Sequence, residues 1–386
     1  MMQFRDLKKQ YDLLKDEIDA EISGVIAATQ FISGQKVREL EEELASRVGR
    51  KYCITCANGT DALEIVLRSW GIGKGDAVFV PSFTFMSTAE VVSLVGAQPV
   101  FVDILPDTFN MDPASLEVKI RAVEAAGQYI PRAVIPVDLF GLPADYDRIL
   151  PLAAKHHLKV LEDGAQGFGG SIRGKTACSF GDASTTSFFP AKPLGCYGDG
   201  GAIFTDDEET MRLLRSLCVH GKGKEKYENI RIGRNSRLDT LQAAILLPKL
   251  RAFFASELDA VNHAAALYTK LLGNAVVTPT VPDGYRSSWA QYTIRCVDRF
   301  RRDRLQSALK EKGIPSMIYY PCGLHRQQAF ACCAEDFEDT RLPVTEKACE
   351  CVLSLPMHPY LTEEEICLVS ETLKDILQEN RGETAK

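Results

Sequence analysis

The chain has 386 residues, of which 45% are hydrophobic and 25% are charged, and its formal net charge is −7. These values are typical of a globular protein with about two domains, and the acidic balance argues against general nucleic-acid binding. No run approaches the roughly 18 apolar residues of a membrane span, and the N-terminus lacks a signal-peptide core, so we expect a cytoplasmic protein with reduced cysteines.

The first part of the chain predicts helices that alternate with strands. Apolar residues at helical spacing predict helices over 7–26 and 37–48. Expected strands follow at 52–56, 77–81, 98–102, 133–137 and 158–162, and expected helices between them at 61–69, 87–95, 113–123 and 144–154. This alternation predicts a mainly parallel sheet covered on both faces, with ligands at the carboxyl ends of its strands.

The pattern changes near residue 255. A long helix at 238–254 and a helical segment up to residue 272 precede this change. Beyond it we expect strands at 291–297 and 317–320 and helices at 304–312 and 362–378. The sequence thus predicts a large domain with an N-terminal helix over 1–254 and a smaller α+β domain over 255–386.

Three familiar motifs can be set aside. Residues 169–176, GGSIRGKT, match the P-loop letter for letter, but a P-loop must run from a strand into a helix, and 177–182 have no helical period. We therefore predict a β-hairpin there and no nucleotide hydrolysis. The absence of GxGxxG at a strand–helix junction argues against a dinucleotide-dependent dehydrogenase, and the cysteine spacings do not indicate a metal site.

A more convincing phosphate site lies in residues 56–63, CANGTDAL. The segment ends a predicted strand and begins a helix, where the first N–H groups have no partner within the helix. Gly59 permits a tight turn, and Thr60 offers a hydroxyl. Taken alone, the stretch is equally compatible with an ordinary capped turn.

Lys192, Asp163 and Phe85 indicate a cofactor with a flat ring. Pro193 disfavours helical geometry at Lys192, and a lysine among apolar residues can become a nucleophilic amine. Asp163 follows a buried strand, where its carboxylate needs a partner such as the protonated ring nitrogen of pyridoxal phosphate. Phe85 could stack on such a ring. The structural alternatives are a surface loop for Lys192, a helix cap for Asp163 and a core aromatic for Phe85.

A basic segment at 220–237 carries six Lys or Arg residues against two Glu residues. In an acidic protein such a segment suits a diphosphate or a carboxylate ligand. A solvated loop is the alternative interpretation.

Four stretches together resemble the DegT/DnrJ/StrS family of nucleotide-sugar aminotransferases. The similarity runs from about residue 3 to 375 and is carried by ANGTDAL (57–63), EDGAQ (162–166), SFFPAKPLG (187–195) and NSRLDTLQAA (235–244). It implies the fold-type I architecture of aspartate aminotransferase. It also implies pyridoxal 5′-phosphate (PLP) as cofactor, with a pyridoxamine phosphate intermediate, and transfer of an amino group from glutamate to a keto-sugar nucleotide.

The resemblance assigns roles around the cofactor ring. Lys192 would bind the cofactor covalently and act as general acid and base, and Asp163 would pair with the ring nitrogen. Gln166 would reach the ring hydroxyl, and Phe85 would stack on the ring.

The same resemblance implies a shared site in an obligate homodimer. Gly59, Thr60 and Ser187 would hold the phosphate, and Asn235 would reach it from the neighbouring subunit. The basic segment would then be an arm that crosses the interface towards the sugar nucleotide.

Within the family, the chain looks most like enzymes that aminate C3 of UDP-2-acetamido-2-deoxy-3-oxo-glucuronate for surface polysaccharides. Arg237 would pair with the sugar carboxylate, and Tyr320 and His325 would contact the substrate. A dTDP-3-oxo- or 4-oxo-6-deoxyhexose aminotransferase and a non-catalytic PLP-binding regulator are the alternatives. Many relatives carry His where this chain has Asp138, so no role of that His transfers here.

Overall fold

A computed structural model describes residues 2–225, 227–333 and 341–383. The strands are β1 (Tyr52–Cys56), β2 (Asp76–Pro81), β3 (Gln98–Val102), β4 (Ile130–Val134), β5 (Lys159–Asp163), β6 (Ser171–Ile172), β7 (Lys175–Thr176), β8 (Ala183–Ser187), β9 (Gly201–Thr205), β10 (Tyr285–Arg286), β11 (Tyr292–Arg295) and β12 (Val352–Leu355). The helices are α1 (Leu7–Ala28), α2 (Gln35–Val48), α3 (Gly59–Ser69), α4 (Ser87–Leu94), α5 (Pro113–Ala126), α6 (Tyr146–Lys155), α7 (Glu208–Cys218), α8 (Thr240–Ala252), α9 (Leu258–Leu272), α10 (Arg299–Glu311), α11 (Pro343–Cys351) and α12 (Glu363–Glu383).

The central sheet has seven strands in the order β1-β9-β8-β5-β4-β2-β3. The β9 strand runs antiparallel to both of its neighbours, while the other pairs are parallel. All strands except β9 therefore point the same way, and their carboxyl ends meet at one edge of the sheet. The predicted mainly parallel sheet is confirmed.

Helices cover both faces of this sheet, as the buried residues of β2 show. Val78 and Val80 pack into one apolar cluster, while Ala77 and Phe79 pack into another on the opposite face. All four side chains are fully buried. A strand buried on both faces reads as a continuous apolar run, which is why the sequence identified it easily.

The predicted hairpin at 169–176 is confirmed, because β6 and β7 pair antiparallel there. Two strand predictions need correction. The strand expected at 133–137 spans Ile130–Val134, and Val137 forms only an isolated bridge with Asp163. Pro136 lies between them and has no N–H to donate to a ladder. The strand expected at 317–320 is wrong, since in that stretch only Met317 forms a bridge.

The C-terminal part contains the antiparallel pair β11–β12 with α10, α11 and α12 around it. The expected boundary at 254/255 falls inside a continuous helical segment, because a π-helical turn at Phe253–Glu257 joins α8 to α9. The domain limits stay a prediction. None of the described helices combines the length and apolar character needed to cross a membrane.

Candidate active site

A cavity of about 630 Å³ opens at the carboxyl ends of the parallel strands. Its walls come from the loop after β2, the ends of β5 and β8, the start of α3 and the loop after β8. It brings together eight of the eleven residues singled out in the sequence. They are Gly59, Thr60, Phe85, Asp163, Gln166, Ser187, Lys192 and Tyr320.

Lys192 lies in a tight turn between β8 and β9, as Pro193 led us to expect. Its backbone N–H donates to the carbonyl of Phe189 at 2.8 Å. Burial lowers the pKa of Lys192, Asp163 opposes this shift, and Arg5 adds to it. The amine therefore loses its proton more readily than an exposed lysine does, which suits a nucleophile.

Asp163 ends β5 and is buried. One oxygen (Oδ2) accepts a hydrogen bond from Oγ1 of Thr88 at 2.8 Å, and the other (Oδ1) accepts from the Ala165 N–H at 3.2 Å. Burial raises the pKa of Asp163, while these two bonds and the Lys192 charge lower it. The sequence reasoning missed Thr88, although the hydroxyl-rich stretch at 82–88 after β2 was the available signal.

The start of α3 forms a cup together with the end of β8. A Cβ atom on Gly59 would stand 2.8 Å from Cβ of Ser187, so the two backbones are nearly in contact. Thr60 lies one residue into the helix, and its Oγ1 is 2.6 Å from Oγ of Ser87. Free helical N–H groups and hydroxyls in one place make a site for a phosphate. Ser87 was also missed in the sequence.

Gln166 and Tyr320 meet at the wall of the cavity. Oε1 of Gln166 accepts from the Phe140 N–H at 2.8 Å, and its Nε2 donates to the Tyr320 hydroxyl at 3.3 Å. Phe85 lines the cavity with 54% of its surface exposed, which rules out the core-aromatic interpretation.

Three predicted residues do not line the cavity of the single chain. Asn235 is exposed and pairs with Val219, and Arg237 is partly buried. His325 is buried, with Nδ1 2.6 Å from Oγ of Ser82 and Nε2 3.3 Å from Glu346. Its ring nitrogens are thus both engaged away from the cavity.

The charges in the cavity are few. Among the described residues that line it, Lys192 is the one cation, and Asp163 and Asp199 are the anions. The described residues contain no group of three or more His, Cys, Asp or Glu side chains placed to hold a metal ion.

These groups fit PLP. The buried carboxylate of Asp163 accepts two neutral hydrogen bonds, and a protonated ring nitrogen would complete its partners. The cup at the start of α3 suits the phosphate, and the exposed ring of Phe85 offers a stacking face. Lys192 supplies the amine that an aldehyde requires.

Comparison with known proteins supports the sequence resemblance. The model of the DegT/DnrJ/EryC1/StrS aminotransferase family matches residues 12–374. The chain is 47% identical to the UDP-2-acetamido-2-deoxy-3-oxo-D-glucuronate aminotransferase of Pseudomonas aeruginosa, over 97% of this chain and 99% of that one. It is 44% identical to the pleiotropic regulatory protein of Geobacillus stearothermophilus, over 96% and 97%. It is 42% identical to the UDP-N-acetyl-3-dehydro-alpha-D-glucosamine 3-aminotransferase of Acidithiobacillus ferrooxidans, also over 96% and 97%.

Solved structures share the fold along the whole chain. A DegT DnrJ EryC1 StrS aminotransferase from Brucella abortus superposes with a TM-score of 0.93 at 47% identity, covering 99% of this chain and 100% of that one. S. venezuelae DesV in complex with a ketimine intermediate superposes with a TM-score of 0.90 at 34% identity, covering 97% and 98%.

Proposed function

The chain belongs to the DegT/DnrJ/EryC1/StrS aminotransferase family, and we propose that it aminates C3 of UDP-2-acetamido-2-deoxy-3-oxo-glucuronate. It is a PLP-dependent aminotransferase of the fold-type I architecture. The proposed amino donor is L-glutamate. From the resemblance we also expect a cytoplasmic enzyme that supplies surface-polysaccharide biosynthesis.

The observation that carries this proposal is the meeting of Lys192 and Asp163 in one cavity with the cup at the start of α3. A lysine with a lowered pKa, a buried carboxylate and a phosphate site are the three groups that a PLP site needs from the protein. Lys192 follows β8, Asp163 ends β5, and the cup joins the segment after β1 to the end of β8, so the sheet gathers the three groups at one edge.

When bound, PLP supplies an electron sink beside the carbon atom that loses its proton. Lys192 would link to the cofactor and later hold and move the proton, because burial lowers the pKa of its amine and makes it easier to deprotonate. Asp163 would keep the ring nitrogen protonated, with Thr88 orienting its carboxylate. Gly59, Thr60 and Ser187 would hold the phosphate, and Phe85 would stack on the ring.

The proposed homodimer would complete the site. Lys192 is the one cation among the described lining residues, whereas a sugar nucleotide brings a diphosphate. The basic segment at 220–237 has the opposite charge, and Asn235 and Arg237 lie outside the cavity of their own chain. We propose that this arm serves the partner subunit's site, with Asn235 on the cofactor phosphate.

Subunit mixing tests the shared site. Lys192→Ala lacks the amine, and Asn235→Ala should bind the cofactor weakly. At limiting PLP, unfolding and refolding the two variants together should restore about a quarter of wild-type turnover, because half of random dimers carry one complete site. Refolding each variant alone is the control. A mixture as inactive as its components would contradict the shared site.

The mutation Lys192→Ala tests the reaction. It should abolish turnover and the borohydride-stable attachment of PLP to the protein. Asp163→Asn should bind PLP and react slowly, because the amide cannot hold the ring nitrogen protonated. Full turnover in either variant would count against the role of that residue. A non-catalytic regulator, the alternative favoured by the Geobacillus relative's name, would show PLP absorbance that glutamate leaves unchanged.

Arg237 tests the substrate, since its planar fork suits a carboxylate. Arg237→Gln should lower kcat/KM for the oxo-glucuronate nucleotide by about tenfold or more. The same substitution should leave kcat/KM for UDP-N-acetyl-3-dehydro-glucosamine nearly unchanged, because that sugar has no carboxylate. The exposed Arg212→Gln is the matched control. Equal losses on both sugars would argue against a carboxylate contact, and preference for a dTDP-oxo-6-deoxyhexose would favour the second candidate.

A further inference from the structure

Two cations hold the backbone of the turn that carries Lys192. Nη2 of Arg5 donates to the carbonyls of Lys192 and Pro193 at 2.7 and 3.2 Å. Nζ of Lys249 donates to the carbonyl of Gly195. Hydrogen bonds from charged donors are roughly twice as strong as neutral ones, so this backbone is tied more firmly than an ordinary loop.

Neither cation is among the residues that line the cavity. Lys249 lies in α8 with 1% of its surface exposed, and its Nζ stands 4.8 Å from the centre of the Tyr197 ring. Arg5 precedes α1 and is partly buried. A buried lysine and a partly buried arginine are energetically costly without partners that compensate their charge.

The Glu257 carboxylate acts electrostatically on both cations and raises the pKa of each. Its Oε1 accepts from Nε2 of Gln10 at 3.1 Å and also from the hydroxyl of Tyr360. Gln10 belongs to α1, and Tyr360 belongs to the segment after β12. The turn that carries Lys192 is itself held by Arg5, before α1, and by Lys249 in α8, which are far apart in sequence.

The charges around this cluster also act on one another. The pKa of Lys249 is lowered to about 8, mainly by burial and also by the Arg5 charge, while Glu257 and Cys196 oppose this shift. Burial lowers the pKa of Arg5 to about 10, against Glu257 and Tyr360. The Arg5 charge in turn lowers the pKa of Lys192, while Asp163 raises it.

We propose that Arg5 and Lys249 are positioning residues for Lys192, which fix the backbone of its turn from outside the cavity. The inference rests on the proposed role of Lys192 as the cofactor-binding amine. Arg5 adds an electrostatic effect, because a fixed positive charge disfavours a second one on the Lys192 amine. Lys249 acts through geometry alone.

The mutation Arg5→Gln separates charge from hydrogen bonding, because the amide can still donate to one carbonyl. The reactivity of the Lys192 amine in the cofactor-free protein is measured against pH by competitive acetylation and mass spectrometry. The midpoint should rise by about half a pH unit, the effect of losing one nearby charge at the high effective dielectric of a partly solvated site. The surface variant Arg121→Gln, on α5, should keep the wild-type midpoint.

The mutation Lys249→Met keeps an unbranched side chain without its terminal ammonium group and so removes the donor to Gly195. The rate at which borohydride traps PLP on the protein should fall about tenfold, as expected for losing one charge-assisted hydrogen bond that holds the turn. The Arg121→Gln control should trap PLP at the wild-type rate.

If Arg5→Gln and Lys249→Met both fold and keep wild-type midpoints and trapping rates, the proposal is wrong. Should Arg5→Gln fail to fold, Arg5→Lys retains the charge with a different geometry. Arg5→Lys should keep the wild-type midpoint of Lys192 acetylation and should slow the trapping of PLP by borohydride. An unchanged trapping rate in this variant would overturn the positioning role of Arg5. Covalent trapping of PLP by Lys192→Ala would instead refute the role of Lys192, while the acetylation midpoints would still report on Arg5.

Discussion

Asp138 and Glu162 form a buried pair of carboxyls beside Asp163. We expect the substitution of Asp138 by its amide to change the stability of the protein less than the same substitution of Glu162. Both side chains are fully buried, and the N–H of Asp138 donates to the carbonyl of Asp163 at 3.1 Å. Oδ1 of Asp138 accepts from the Ala144 N–H at 3.0 Å and from the Tyr146 hydroxyl at 2.9 Å.

The remaining oxygen of Asp138 lacks an ordinary donor. The oxygens of Glu162 accept from the N–H groups of Cys178 and Phe180, the latter at 2.7 Å. No donor within the described residues reaches Oδ2 of Asp138, yet its carboxyl is in hydrogen-bond contact with that of Glu162. A proton held between the two carboxyls satisfies both. Burial raises the pKa of each, which favours that proton.

An amide should be tolerated at one position and not at the other. In Asp138→Asn the carbonyl can accept from Ala144 and Tyr146 while the NH₂ group takes the place of the shared proton. Its free energy of unfolding at neutral pH should stay within about 1 kcal/mol of the wild type. In Glu162→Gln the NH₂ group must face a backbone N–H that loses its acceptor, which should cost about 1–3 kcal/mol.

The pH dependence has a definite sign. Because the pKa of Asp138 is raised from 3.8 to about 7, the folded state keeps a proton that the unfolded state releases in this range. The stabilisation is therefore complete below pH 3.8 and decreases as the pH rises towards 7. Each proton retained in this way contributes a slope of about 1.4 kcal/mol per pH unit, and Asp138→Asn should reduce the slope by the share of Asp138.

Urea unfolding of the cofactor-free chain, repeated at several pH values in this window, measures both effects. The exposed Asp107→Asn serves as control for the loss of a carboxyl. Equal destabilisation by Asp138→Asn and Glu162→Gln, or an unchanged slope in Asp138→Asn, would refute the shared proton.

Three further substitutions test the site itself. The Thr88 hydroxyl donates to Asp163 and lowers the pKa of that carboxyl, so Thr88→Val should raise this pKa. The value of kcat should fall about tenfold, and the acidic limb of the pH–rate profile should move to higher pH. An acidic limb that stays in place would argue against this hydrogen bond. Gly59→Ala places a Cβ atom 2.8 Å from Cβ of Ser187, which crowds the phosphate cup. The Kd for PLP, measured by absorbance titration, should therefore rise about tenfold or more. An unchanged Kd would contradict the phosphate cup. Tyr320→Phe should raise KM for the sugar nucleotide and leave the Kd for PLP unchanged, and the reverse pattern would assign Tyr320 to the cofactor.

The sequence by itself determined the elements and much of the site. The apolar runs of parallel strands and their alternation with helices predicted the sheet, because strands buried on both faces leave a strong local signal. Lys192, Asp163 and Gly59 were found because each stands in a local context, beside a proline, after a buried strand or at a helix start, that constrains its chemistry.

Only the tertiary structure decided which distant groups act on those residues. Thr88 reaches Asp163, and Arg5 and Lys249 reach the turn of Lys192, across separations of 75, 187 and 54 residues that leave no periodic trace in the sequence. A hydrogen bond depends on where two side chains end after folding and not on their spacing along the chain. The sequence therefore predicted the reacting groups, and only the packed structure showed the contacts that orient them.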